Sequence, residues 1–175
     1  IFDAEPIALA NCMVHNYGNS ENGIDVILDI GTNSSTLVVT GDKQIFFTRE
    51  LEIAGFHILK DIMKKYDTDY QDAHNIFTED GLNSLGSSNT SEDNNTFSLE
   101  GAEKTIISNL IDEVRKSLRY YVKSNNGNSN FKRFFISGGY AEVDGLKDKI
   151  ADGTVIFLSQ LESGIILSLI NQIMP

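Results

Sequence analysis

Residues 26–39 read VILDIGTNSSTLVV, and the role of the middle of this stretch decides the fold. Two apolar runs of strand length, IDVILDI (24–30) and STLVVT (35–40), leave only Gly31 to Ser34 between them, which is room for a tight turn and nothing more. A third run, QIFFTRELEI (44–53), follows the turn GDK. Short links between three such runs predict an antiparallel meander. The turn DIGTNSST (29–36) has two readings. Gly, Asn and Ser favour a plain polar hairpin. The same residues suit a phosphate loop: a glycine free to take positive φ lets backbone approach a ligand, successive N–H groups form an anion nest, and hydroxyls add donors. Asp29, closing a buried strand, offers the hard oxygen that Mg²⁺ takes through its waters.

Working outward, EPIALANCMVHNY (5–17) has apolar residues near helical spacing, with Pro6 suited to the first turn. After Gly55 the period changes, and Ile58, Leu59, Ile62, Met63 and Tyr66 share one helical face. A short helix is expected from about Tyr70, with Thr68 and Gln71 spaced as a capping box. Residues 81–97 are rich in Ser and Asn and read as a mobile loop or insertion. A long helix follows from about Leu99, then the strand FKRFFIS (131–137), a helix over about 142–151, a last strand VIFL (155–158) and a last helix over 161–174. This order predicts an α/β, ribonuclease H-like mixed sheet: three antiparallel strands, then strand–helix–strand–helix, with helices packed on it.

Composition narrows the function. The 175 residues carry a formal charge of −11 and a pI near 4.6, a surface that repels phosphate backbones and excludes general nucleic-acid binding. A nucleotide would need a metal ion, backbone N–H groups and a few local cations. Cys12 is the single cysteine, so there is neither a disulfide framework nor a CxxC metal site. His15, His57 and His74 lack ligand spacing, and no Ser-His-Asp signature is present. Asp67, Asp69 and Asp72 hint at a calcium loop, but Asp72 and Thr78 occupy the places where such a loop needs Gly and Glu. Helix capping is the better reading there. The apolar C-terminal stretch carries Gln160, Glu162, Asn171 and Gln172 and does not read as a membrane span. The opening IFDAEPIALA begins abruptly, as a piece of a longer protein would.

A second motif, Ser137-Gly138-Gly139-Tyr140, joins a strand to a helix. Paired glycines there let backbone lie against a ligand ring or phosphate at a helix N-terminus, although a tight strand-to-helix turn wants them equally. Glu5 reads as a first-turn carboxylate favoured by the helix dipole, and Arg115 and Lys116 read as a solvated helix face. Taken in order, DAEPIALA, VILDIGTNSSTLVV, QIFFTRELEIAGFHILKDI, DEVRKSLRYY and RFFISGGYAEVDGL resemble the connecting helix, second phosphate motif and adenosine motif of actin-like ATPases. Within that superfamily they are most similar to the PilM family of type IV pilus assembly. The resemblance covers most of residues 3–150, and the divisome FtsA family is the nearest alternative.

The resemblance implies one half of an actin-like ATPase: residues 1–18 a connecting helix from an absent first domain, and 19–175 the second domain. It implies ATP and Mg²⁺ as cofactors. Asp29 would be the metal-side carboxylate. Gly31, Thr32, Asn33 and Ser34 would line the phosphates. Glu5 would stand near the hydrolytic water as the catalytic residue. Arg115, Lys116, Gly138, Gly139 and Tyr140 would face the adenosine. The first phosphate hairpin of the superfamily is missing, so at most weak ATPase activity is implied, and none for this piece alone. A PilN-like cytoplasmic tail peptide and the inner-membrane pilus platform are the implied partners, at the cytoplasmic face of the membrane. Self-association through an uncovered interdomain face is a further expectation, and a scaffold with a decayed ATP site is the rival. Gly55-Phe56 departs from the two glycines common at that place.

Overall fold

The computed structural model describes residues 4–41, 44, 46–82, 100–159 and 168–170, with side chains over 4–41, 44, 46–82 and 106–154. Strands β1 (Ile24–Ile30), β2 (Ser35–Thr40) and β3 (Phe47–Leu51) form the meander, β4 (Phe131–Ser137) runs parallel to β1, and β5 (Ser168–Ile170) runs parallel to β4. The sheet order is β3-β2-β1-β4-β5. The helices are α1 (Glu5–Tyr17), α2 (Gly55–Tyr66), α3 (Tyr70–Asp80), α4 (Glu100–Ser124) and α5 (Leu146–Ser159). Among the described residues no helix is long and apolar enough to cross a membrane.

β1 is central and covered on both faces, which is why it reads as an almost unbroken apolar run rather than an alternation. Its even-numbered residues Ile24, Val26, Leu28 and Ile30 enter the larger core, with Leu37, Val39, Phe134 and Ile136 beside them and α2 to α5 above. Ile27 turns the other way and meets Val38, Phe135 and the Ala10–Met13 side of α1. Register then sorts the α1 face into three rows. Ile27 pairs with Val38 and Phe135 in an apolar middle row, Asp25 with Thr40 and Arg133 at one end, and Asp29 with Thr36 and Ser137 at the other. The helix crosses all three. Its last carbonyls, Tyr17 and Gly18, accept from Arg133 at 3.0 and 2.7 Å, while Glu5 in its first turn accepts from Thr36 at 3.1 Å.

Four expectations need correction. VIFL (155–158) is not a strand: it continues α5, which runs to Ser159. A short apolar run serves as buried strand or helix alike, and here the helix begun at Leu146 carries through it. The helix expected over 142–151 accordingly starts later, after a chain of turns in which Ala141, Val143 and Leu146 donate to the carbonyls of Gly138, Tyr140 and Val143. The last strand instead is Ser168–Ile170, inside the span expected to be helical; the rest of 161–174 lies outside the described residues. At α3 the cap is Asp69, whose carboxylate accepts from the Asp72 N–H at 3.0 Å, and Thr68 donates to Asp72 rather than forming a capping box with Gln71. Of the loop expected over 81–97, only Gly81 and Leu82 are described, in a turn.

Candidate functional site

β1 and β4 are parallel and end side by side, so the loops that follow them, Gly31–Ser34 and Gly138–Tyr140, emerge together. Ligands of open α/β sheets bind at such carboxyl ends. The polar row beneath these loops is the chemical floor of the site. Ser137 donates to Asp29 at 2.8 Å, and Thr36 to Glu5 at 3.1 Å. Asp29 is held above its ordinary value of 3.8, first by burial and then by the charge of Glu5, with the Ser137 bond pulling the other way. Four residues from three strands and one helix therefore converge, two of them carboxylates sharing a field.

This donor set fits Mg²⁺, which takes one or two carboxylates along with waters and phosphate oxygens. It does not fit a self-sufficient metal cage: among the described residues no three of His, Cys, Asp and Glu come together. Asp29 is the side chain that would hold the ion, with Glu5 beside it, and the ion's charge would offset both the burial of Asp29 and its repulsion by Glu5.

The loop above is stiff. The Gly31 N–H donates to the Ser34 carbonyl at 3.1 Å, and the Gly55 and Phe56 amides at the start of α2 donate to the carbonyls of Gly31 and Thr32 at 3.0 and 2.8 Å. The expected left-handed backbone at Gly31 is absent. Glycine is needed there for a different reason, since a Cβ would lie 2.8 Å from the Ser34 carbonyl oxygen. Thr32 and Asn33 are exposed, and Gly31 and Ser34 partly so. Ser35 turns inward and donates to the Ile53 carbonyl at 2.7 Å.

The paired glycines divide their work. Gly138 has φ +96°, and a Cβ on it would come within 2.4 Å of the Ile30 carbonyl oxygen, so the fold itself demands glycine. At Gly139 a Cβ would meet nothing within 4 Å. That space is open, and both glycines are exposed. Tyr140 is placed otherwise than the resemblance implies. The residue is 3% exposed, with its ring packed against Phe77 and His74.

Arg115 and Lys116 are engaged with α4 and α5. The Arg115 guanidinium donates to the Gly153 carbonyl and to Asp112, tying α4 to α5. It borders a groove of about 360 Å³ with Ser108, Ile111, Lys149 and Asp152, and none of Gly138, Gly139 and Tyr140 lines it. Lys116 pairs with Glu113 at 2.6 Å on the surface. The sequence reading passed over Asp25 and Arg133 altogether. Arg133 grips the buried Asp25 carboxylate with two bonds of 2.9 and 2.7 Å, and Ser20 adds a third at 2.6 Å. The bonds between Arg133 and Asp25 raise the Arg133 pKa above its ordinary value, against the pull of burial. An Asp inside an apolar strand was the available signal; its partner 108 positions away was not.

Solved structures place the fold. The chain superposes on a chain of a PilM–PilN type IV pilus biogenesis complex with TM-score 0.70 and 18% identity, covering 98% of this chain and 42% of that one. It is also similar to the ethanolamine utilization protein EutJ from Carboxydothermus hydrogenoformans (TM-score 0.59, 16% identity, 87% and 47% covered). A third is Ta0583, an archaeal actin homolog solved in complex with ADP (TM-score 0.60, 12% identity, 87% and 49% covered). The fold is thus that of the actin-like ATPases, and the chain spans less than half the length of each of these relatives. No curated protein sequence matches it at a significant level. The family described as Type IV pilus assembly protein PilM matches residues 2–163, nearly the whole chain, and the chain belongs to that family.

Proposed function

We propose that this chain is the second, nucleotide-binding half of a PilM-like protein, holding ATP with Mg²⁺ against a wall supplied by another domain. The observation that carries the reading is the convergence of Asp29, Glu5, Thr36 and Ser137 beneath the Gly31–Ser34 loop, beside the open space at Gly139. Mg²⁺ would neutralise phosphate charge, and Asp29 would hold it. The backbone of Gly31, Thr32, Asn33 and Ser34 would line the phosphates, and Glu5 would orient a water. Gly138 and Gly139 would flank the adenosine, and the exposed Lys116 would exchange its Glu113 partner for the ligand. Arg115 would contribute only by releasing Gly153.

In this reading ATP organises interdomain shape more than it is consumed. A ligand shifts such an equilibrium only by its difference in affinity for the two states, and the favoured state would present the groove for a PilN-like cytoplasmic tail. The protein would then sit at the cytoplasmic face of the membrane, on the pilus platform. The rival is a scaffold that keeps the fold without its nucleotide. It gains from the fact that Arg115 directs its guanidinium at the Gly153 carbonyl.

Calorimetric titration of the natural full-length protein with Mg²⁺-ATP, beside Asp29→Ala, separates the two. Binding that disappears in a variant with unchanged circular dichroism supports the nucleotide site. Equal heats in both proteins, or none in either, leave the scaffold.

A further inference from the structure

We propose that Arg133, at the opposite end of the sheet face from the candidate site, is a positioning residue for Glu5, acting through α1. This rests on the nucleotide-site reading. Its partner Asp25 stands four residues from Asp29 on β1, about 13 Å of strand, too far for the guanidinium to act on the site by contact. The link is the helix, which lies across both rows. Glu5 is twelve residues from Tyr17, about 18 Å along the axis, so a tilt of about 10° at the far end would carry it about 3 Å. That is enough to break its bond to Thr36.

Three observations make Arg133 the fixed end. First, its guanidinium is divided between two elements. Nε and Nη2 donate to the two Asp25 oxygens at 2.9 and 2.7 Å, while Nη1 and Nη2 donate to the Tyr17 and Gly18 carbonyls at 3.0 and 2.7 Å. A planar fork bonded in two directions sets both the place and the angle of the helix end, which the point charge of a lysine cannot do. Second, the anchor is itself held. Asp25 is fully buried and accepts from Ser20 at 2.6 Å, the cation sits at a helix C-terminus where the dipole favours it, and Arg133 lies over the Phe135 ring, which packs against Tyr17. Third, the rest of α1 is constrained loosely. Of its 13 residues Ala10 and Met13 are buried, and Ala4 gives its N-terminus no side-chain cap. Apolar burial is non-directional, so the polar bonds at the two ends decide where along the sheet the helix sits.

The test uses the full-length protein with Arg133→Lys, which keeps the ion pair, and with Asp25→Leu plus Arg133→Met, which removes both charges. Neither can hold the Tyr17 and Gly18 carbonyls together. Spin labels at Ala8→Cys on α1 and Glu50→Cys on β3, both exposed, are placed in a background without other cysteines. The nucleotide-free parent should give a narrow distance distribution, and both variants a broader one. Mg²⁺-ADP should bind roughly three- to tenfold more weakly to both, with ADP affinity in chelator unchanged. On a Glu5→Gln background neither should weaken Mg²⁺-ADP binding further. An affinity that returns to the parent value in the double variant, along with its melting point, would make the clamp merely structural and overturn the proposal. Unchanged distances, losses that persist in chelator, or losses additive with Glu5→Gln would overturn it too. Should the parent bind no nucleotide, that reading fails and the distances decide: broadening upholds the clamp on Glu5, and unchanged distances sink it.

Discussion

Ser137 donates to Asp29 at 2.8 Å, directly across the junction where the parallel strands β1 and β4 end. The bond lowers the Asp29 pKa, yet burial and the Glu5 charge outweigh it and hold the carboxyl above 3.8. The folded protein therefore binds this proton more tightly than the unfolded chain does. Stability from this group is greatest in acid and falls as pH climbs from 3.8 through the raised value. Without metal, Asp29→Asn, which keeps an acceptor for Ser137 and removes the charge, should melt higher than the parent at pH 7. The gap should close as pH falls below 3.8. Melting curves in chelator across pH check this, and a lower melting point for Asp29→Asn at pH 7 would refute it.

The two glycines after Ser137 should part company under substitution. Gly138→Ala combines a left-handed backbone with a collision against Ile30, and should cost about 2 kcal/mol or more. Gly139→Ala meets open space and should stay within about 0.5 kcal/mol of the parent. Its effect should fall on nucleotide affinity instead, more strongly for Gly139→Val. Denaturant titrations paired with ADP binding give both numbers. If Gly139→Val binds ADP as the parent does, no ligand lies over that glycine.

Asp25 and Arg133 should be coupled strongly. The Asp25 side chain is fully buried and that of Arg133 is 16% exposed, so removing one partner strands a charge. Arg133→Met should cost about 3–5 kcal/mol, while Asp25→Leu with Arg133→Met should recover most of the loss. The same substitution frees the Tyr17 and Gly18 carbonyls, so α1 should loosen first, seen as faster amide exchange from its C-terminal turn. Additive effects in the double-mutant cycle would show the pair to be uncoupled.

The sequence displayed what depends on neighbours in the chain. β1, β2 and β4 were legible as apolar runs between turn residues, and α2 as an apolar stripe after Gly55, since both signals are local. Order of motifs, more than any one motif, carried the resemblance to the PilM family. Long-range facts were hidden. Arg133 reaches Asp25 across 108 positions, and Tyr140 fills a slot that residue 55 opens; neither leaves a periodic trace. The VIFL run misled because four apolar residues carry no period, and Thr68 misled by one place because Asp69, beside it, is the stronger cap.

In the proposed function, Asp29 anchors a metal-dependent nucleotide site at the ends of β1 and β4. Its most direct test is the affinity of the full-length protein for ADP, measured over a range of Mg²⁺ concentrations, in the parent and in Asp29→Asn. The parent should bind more tightly as Mg²⁺ rises, and the variant should bind with an affinity that Mg²⁺ barely changes. The same rising curve in both proteins would contradict the account.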